Sequence, residues 1–307
     1  MGVEDGMTQA LTQIDAILAE SSSKTQTIAV EGATVAFDVR YSASSDKRPL
    51  MLIGQPMGAS GFTLLAGYFG DRTIITYDPR GADRSVKDDP MSSTGPDTHA
   101  DDLNKVIQEA DGGPVDMFAS SGGAINALAL VAKYPNDVHT LVAHEPPLVS
   151  ALVDSEHAAA AVRAIHHTYE QRGWGAGMAH FIALTGQKGP LTPEFVAQPG
   201  PDPQMFGMPA DDDGNRTDPL LGPSFVPMTS YEPNWDAIRT ASTRVILAAG
   251  EASGGQLANR GAYAVAARLG STPVQFPGGH GGFNKSEWEP SDPEAFAAKL
   301  REVLGAT

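Results

Sequence analysis

A serine, a histidine and two glutamates stand where turns or strand ends would present them, and together they could carry nucleophilic acyl chemistry. The serine belongs to Ala119-Ser120-Ser121-Gly122-Gly123, directly after the apolar run Val115-Asp116-Met117-Phe118 and directly before an Ala/Leu-rich stretch ending at Tyr134. This small-x-Ser-x-Gly pattern is that of a nucleophile elbow, a tight strand-to-helix turn that strains the serine backbone and lifts its hydroxyl clear of the sheet. Small residues are needed at Ala119 and Gly123 because a side chain there would collide at the crowded junction. Counting from those positions makes Ser121 the nucleophile and Ser120 the variable neighbour. The rival reading of Ser-Ser-Gly-Gly is a plain flexible turn, so its partners decide.

A hydroxyl attacks only when a base takes its proton, and an oriented imidazole is the usual base. Of the eight histidines, His280 lies in Pro277-Gly278-Gly279-His280-Gly281-Gly282-Phe283, between the strand-like Val274-Gln275-Phe276 and the last helix. Its flanking glycines let the loop fold toward the elbow. His166 and His167 are adjacent, point to different sides of a helix and suit packing or solvent; His99, His139, His157 and His180 carry no local signal. The third member should be a carboxylate that holds the imidazole tautomer. Two strand ends offer one: Glu145, which closes Thr140-Leu141-Val142-Ala143-His144 and precedes Pro146-Pro147, and Glu251, which follows Val245-Ile246-Leu247-Ala248-Ala249-Gly250. The residues alone leave the choice open.

Other chemistries find little support. Gly58-x-x-Gly61 lacks the lysine of a P-loop and the third glycine of a dinucleotide fingerprint. Asp211-x-Asp213-x-Asn215 starts like a calcium loop, but Arg216 takes the glycine position and Gly222 the final glutamate position, so a solvated loop is expected. No metal and no cofactor is expected. With 37 acidic against 21 basic residues and a formal charge of -16, the surface repels phosphate backbones, which argues against nucleic acid as a partner. The absence of cysteine excludes disulfides, thiolate metal sites and a cysteine nucleophile. No apolar run approaches the roughly 20 residues of a membrane helix, and the acidic N-terminus lacks the apolar core of a secretory signal, so a cytoplasmic protein is expected.

The elements that must position these groups alternate. Leu11, Ile14, Ile17 and Leu18 predict an amphipathic helix over about 7–20, available for packing on the body or on a second subunit, which leaves a homodimer open. A β-hairpin is predicted around Glu31-Gly32-Ala33. Strands follow at 50–53, 73–77, 115–118, 138–143, 244–248 and 273–276, with helices at about 61–69, 97–110, 122–133, 255–269 and 292–304. Such alternation gives an α/β fold with a mostly parallel central sheet flanked by helices. It fails between about Val149 and Thr240, where ten of the 23 prolines fall between residues 186 and 233 and only a helical start at 156–169 is clear. An insertion there, after the sixth strand, overlies the carboxyl ends of the strands and reads as a mainly helical cap. The division is thus a core of residues 1–147 and 241–307 with a cap at 148–240.

Taken together, the elbow, the histidine loop and Asp78-Pro79-Arg80-Gly81-Ala82-Asp83-Arg84-Ser85 resemble the α/β-hydrolase superfamily over nearly the whole chain. The last segment is similar to that family's Asp-x-Arg-Gly-x-Gly-x-Ser loop, with Asp83 in place of a glycine. Much of the family carries its acid after the penultimate strand, where this chain has Ser253. The order serine, acid after the next strand, cap, histidine instead resembles the zearalenone lactone hydrolases, in which a Ser-Ser-Gly elbow is followed by Cys-His-Glu-Leu-Pro. Here Ala143-His144-Glu145-Pro146-Pro147 places the glutamate 24 residues after Ser121. The resemblance therefore makes Glu145 the first choice and Glu251 the reserve. It also implies an oxyanion hole built from the Gly122 amide and a second amide after strand 50–53; the chain has Gln55-Pro56-Met57 there, and because proline has no N–H, Met57 is the candidate. The implied activity is cofactor-free serine hydrolysis of a bulky hydrophobic ester or lactone. A carbon–carbon (diketone) hydrolase with the same triad, and a non-catalytic binding protein on this fold, are the alternatives.

Overall fold

In the computed structural model we describe residues 23–42, 46–110 and 112–305. The helix expected over 7–20 lies outside them. Among the described residues nine strands form one sheet: β1 (Ser23–Val30), β2 (Ala33–Arg40), β3 (Leu50–Ile53), β4 (Ile74–Tyr77), β5 (Val86–Lys87), β6 (Val115–Ser120), β7 (Val138–His144), β8 (Arg244–Gly250) and β9 (Val274–Phe276). Their order is β1-β2-β4-β3-β6-β7-β8-β9, with β5 beside β2. The hairpin β1/β2 and the β2/β4 pair are antiparallel, and every pair from β4 to β9 is parallel. Parallel strands covered on both faces should be continuously apolar, and β3 and β6 are buried at every position.

Helices cover both faces. They are α1 (Thr63–Gly67), α2 (Pro96–Ala110), α3 (Gly122–Lys133), α4 (Ser155–Gly186), α5 (Pro193–Val196), α6 (Phe225–Thr229), α7 (Trp235–Thr240), α8 (Leu257–Arg268) and α9 (Pro293–Gly305). One core packs α2, α3 and α8 on the sheet through Leu103, Val106, Ile125, Leu128 and Val265. The other is aromatic: Phe62, Phe69, Phe118, Phe276, Phe283 and Phe296 pack with α9 beneath the loops that follow β3 and β9. Among the described residues no helix is long and apolar enough to cross a membrane.

The irregular stretch lies between β7 and β8. It follows the seventh strand rather than the sixth, because the two-residue β5 adds one to the count. Its first helix runs far beyond Tyr169: α4 continues to Gly186 across a break at Gly173 (φ 81°). Gly173, Gly175 and Gly177 resemble helix breakers in the sequence, yet each admits a close neighbour. A Cβ on Gly173 would lie 2.5 Å from Asp212 Oδ1, one on Gly175 2.0 Å from the Pro209 carbonyl oxygen, and one on Gly177 2.7 Å from Tyr169 Cβ. Helix, proline-rich loop and α6 then share a core of Val162, Ile165, Tyr169, Leu184, Leu221 and Phe225.

Candidate active site

The elbow is built by β6 running into α3. Ser121 takes φ 57°, ψ -131°, a conformation that costs a non-glycine residue about 1–3 kcal/mol and persists only where its surroundings enforce it. The enforcement is close backbone packing: a Cβ on Gly123 would sit 2.7 Å from Gly54 Cα, and one on Gly122 would sit 2.9 Å from the Gln55 carbonyl oxygen. Ser121 occupies the N-cap position of α3, but its hydroxyl makes no capping bond. The residue lines a cavity instead.

That cavity, about 550 Å³, is lined by Ser121, Gly122, His280, Gln55 and Pro56. Its walls are mostly apolar, with Val162, Phe181, Leu184, Leu220, Phe225 and Met228 all supplied by the segment between β7 and β8. Leu257 and Ala258 of α8 also line it.

Glu145 follows β7 in a left-handed conformation (φ 48°) and is fully buried. Its two oxygens have separate duties. Oε1 accepts the Gly250 amide at 2.9 Å, Asn259 Nδ2 at 3.0 Å and the Ser253 hydroxyl. Oε2 meets His280 Nδ1 at 2.7 Å. Burial alone would raise the pKa of this carboxyl, but the bond to His280, the neighbouring imidazoles and Ser253 hold it down at about 2. Burial also works against a charged His280, and the Glu145 bond and charge, with a further contribution from Glu289, overcome it and raise the imidazole pKa. With Nδ1 on Glu145, Nε2 is the nitrogen left for a reacting proton.

Glu251 does not join them. Its side chain is exposed, and its amide bonds the Phe276 carbonyl at 3.0 Å. Ser253, at the family's usual acid position, instead donates to Glu145. Asn259, in the first turn of α8, does the same, and no sequence signal had singled it out. The expected oxyanion donors divide. Gly122 begins α3, so its N–H lacks an intrahelical partner, and it lines the cavity. Met57 does not line the cavity; its side chain packs on the aromatic core and against Gly61. Gln55 does line it, and neither the Gln55 nor the Met57 amide donates to a described backbone carbonyl.

The loop after β4 is tied to the residues that follow β3. Asp78 Oδ1 accepts the Ala59 amide at 2.8 Å, and Oδ2 pairs with Arg84 at 2.5 Å. Asp83, where the family has glycine, adopts φ 48°, a left-handed conformation that aspartate tolerates better than most residues. Asp212, in the calcium-like run, is paired with Arg216 at 2.6 Å, and no described group of acidic or histidine residues could hold a metal.

Among the described residues, the side chains of the remaining histidines make no hydrogen bond to Glu145, His280 or Ser121. His166 bonds the Leu221 carbonyl, His180 bonds Thr168, and His139 pairs with Asp116. His144, beside Glu145, is buried against Phe118, Phe276 and Phe296 with its Nε2 unpartnered, and His99 has neither ring nitrogen bonded to a described group. Burial lowers their pKa values to about 4 for His144 and about 3 for His99, where Arg80 and Lys87 add to the effect. Each therefore folds neutral, and its contribution to stability is present above the ordinary value of 6.5 and lost as pH falls toward the folded value. At pH 5 this removes about 2 kcal/mol per histidine, offset in part by the raised His280, which favours the folded state at low pH. Denaturant midpoints should accordingly fall between pH 7 and pH 5, and His99→Leu should flatten that dependence. An unchanged slope would show that His99 does not fold neutral.

A model described as "alpha/beta hydrolase fold" matches residues 57–172. The chain is 27% identical over 286 residues to the uncharacterized hydrolase YraK of Bacillus subtilis (strain 168), covering 91% of this chain and 95% of that protein. Among solved structures, a thermophilic esterase from Thermogutta terrifontis matches with TM-score 0.62 at 19% identity, over 92% of this chain and 98% of the esterase. The N-acyl homoserine lactonase AidH, solved as a mutant in complex with N-hexanoyl homoserine, matches with TM-score 0.60 at 17% identity, over 92% and 96% of the two chains. The chain has the α/β-hydrolase fold, and over residues 57–172 it is similar to the model of that family.

Proposed function

We propose that the chain is a serine hydrolase of carboxylic esters in which Ser121, His280 and Glu145 act as the triad. The observation that carries this reading is the 2.7 Å bond between Glu145 and His280, whose ring lines the same cavity as the strained Ser121. Ser121 Oγ attacks the ester carbonyl while His280 Nε2 takes its proton, and Glu145 stabilises the imidazolium. The oxyanion is held by the Gly122 amide and an amide of the 55–57 loop. Collapse expels the alcohol, which receives the proton from His280, and a water activated by the same nitrogen releases the acid. Residues 148–240 serve as the cap that excludes bulk water and selects substrate.

The cavity's apolar walls favour a bulky hydrophobic ester, and the motif order favours a lactone of the zearalenone type. Both AidH and the Thermogutta esterase act on related bonds by their names, which is consistent with this class. A panel of neutral aryl esters, macrolactones and carboxylate-bearing esters tests it. Neutral hydrophobic members should be turned over at least tenfold faster than anionic ones, and activity should survive a chelator. Loss of turnover on chelation, or preference for the anionic esters, would overturn the mechanism or the substrate class respectively.

A further inference from the structure

The loop that carries His280 is clasped from outside by a second carboxylate. Glu289 Oε1 accepts the Gly281 amide at 2.8 Å. A Cβ on Gly281 would lie 2.5 Å from Oε1, and one on Gly279 would lie 2.3 Å from Oε2, so the carboxylate straddles the backbone on both sides of the imidazole. Only glycine at both positions admits it. Glu289 is itself presented by a turn in which Ser286 Oγ accepts the amides of Trp288 and Glu289 at 3.1 and 3.2 Å, while the Gly279 amide donates to the Pro290 carbonyl at 2.8 Å. Among the described residues no cation forms an ion pair with Glu289, and its side chain lines the same cavity as Ser121 and His280.

We propose that Glu289 is a positioning residue for His280: it fixes the histidine loop through the Gly281 amide and sets a second negative charge beside the ring that Glu145 already holds. The inference rests on the hydrolase reading of Ser121, His280 and Glu145. Three ionisable groups face the imidazole: Glu145 at Nδ1, the buried neutral His144 with its ring 6.0 Å away, and Glu289. Glu145 orients the ring and its proton. Glu289 acts through the main chain and through space, favouring the imidazolium that both half-reactions require.

The test compares Glu289→Gln and Glu289→Ala, reading the His280 imidazole titration by NMR alongside the pH dependence of kcat/KM on a neutral aryl ester. Glutamine keeps an acceptor for the Gly281 amide but removes the charge. In E289Q the His280 midpoint and the acid limb of kcat/KM should therefore both move down by roughly half to one pH unit. In E289A the loop also loses its clasp, and kcat should drop a further ten- to hundredfold with KM little changed, the cost of a slightly misplaced base. An unchanged midpoint in both variants, or wild-type kcat in E289A, would overturn the proposal. Absence of turnover in the wild type would instead sink the hydrolase reading, and the NMR midpoint would still report on Glu289.

Discussion

Replacing Glu145 with glutamine should cut kcat by about four orders of magnitude, the scale seen when the acid of a serine triad becomes an amide. The hydrogen bonds around this side chain make the outcome strict. Oε1 receives three donors, from Gly250, Ser253 and Asn259, so the amide oxygen must stay there, and the new NH2 group must face His280 Nδ1. Nδ1 then becomes an acceptor, the ring proton moves to Nε2, and that nitrogen can no longer take the proton of Ser121. The opposite rotamer points NH2 at three donors inside a fully buried site, where an unsatisfied group costs about 1–3 kcal/mol or more. Glu251→Gln, with its exposed side chain, should remain near wild type. Thermal melts would show that both variants are folded. An E145Q enzyme within tenfold of wild type would remove Glu145 from the triad.

What the chain discloses before folding depends on how local the physics is. The elbow was legible because the residues that answer its steric demand are consecutive, from Ala119 to Gly123, although the backbone that imposes the demand, at Gly54 and Gln55, is distant in sequence. The parallel strands were legible because burial on both faces leaves them uniformly apolar, as in β3 and most of β6. The continuation of α4 was not, since the three glycines between 173 and 177 gain their meaning from Pro209, Asp212 and Tyr169, and two of those lie more than thirty residues away in sequence. The same holds within the site. Residue type offers Glu145 and Glu251 alike and the resemblance to the lactone hydrolases ranks them, but only three dimensions reveal that Ser253 and Asn259 hold the other oxygen of Glu145, or that Glu289 sits across Gly279 and Gly281. Met57 stands out in the sequence because Pro56 has no N–H to donate, a covalent fact. Which of the Gln55 and Met57 amides turns toward the cavity is a matter of backbone path, which residue types do not disclose.

Ser121→Ala should lose about five to six orders of magnitude in kcat, as removal of the nucleophile does in serine proteases, along with all labelling by an organophosphonate. The variant should stay folded, because alanine keeps the Cβ and inherits the same φ of 57°, and the Ser121 hydroxyl makes no capping bond to α3 that could be lost. Ser121→Gly should be equally inactive yet more stable than Ser121→Ala by about 1 kcal/mol, since glycine relieves the left-handed strain. That pairing separates chemistry from folding: two variants equally dead, with different melting temperatures. Ser120→Ala tests the register. Ser120 is buried, with its hydroxyl 3.3 Å from His144 Nδ1, so its loss leaves a second unpartnered nitrogen on a buried imidazole and should lower stability, while labelling and most of kcat survive. Were the phosphonate found on Ser120 in the wild type, the elbow would be read one residue too late, and its strained φ at Ser121 would need another explanation. If neither serine were labelled and ligand bound without turnover, the same cavity would belong to a receptor.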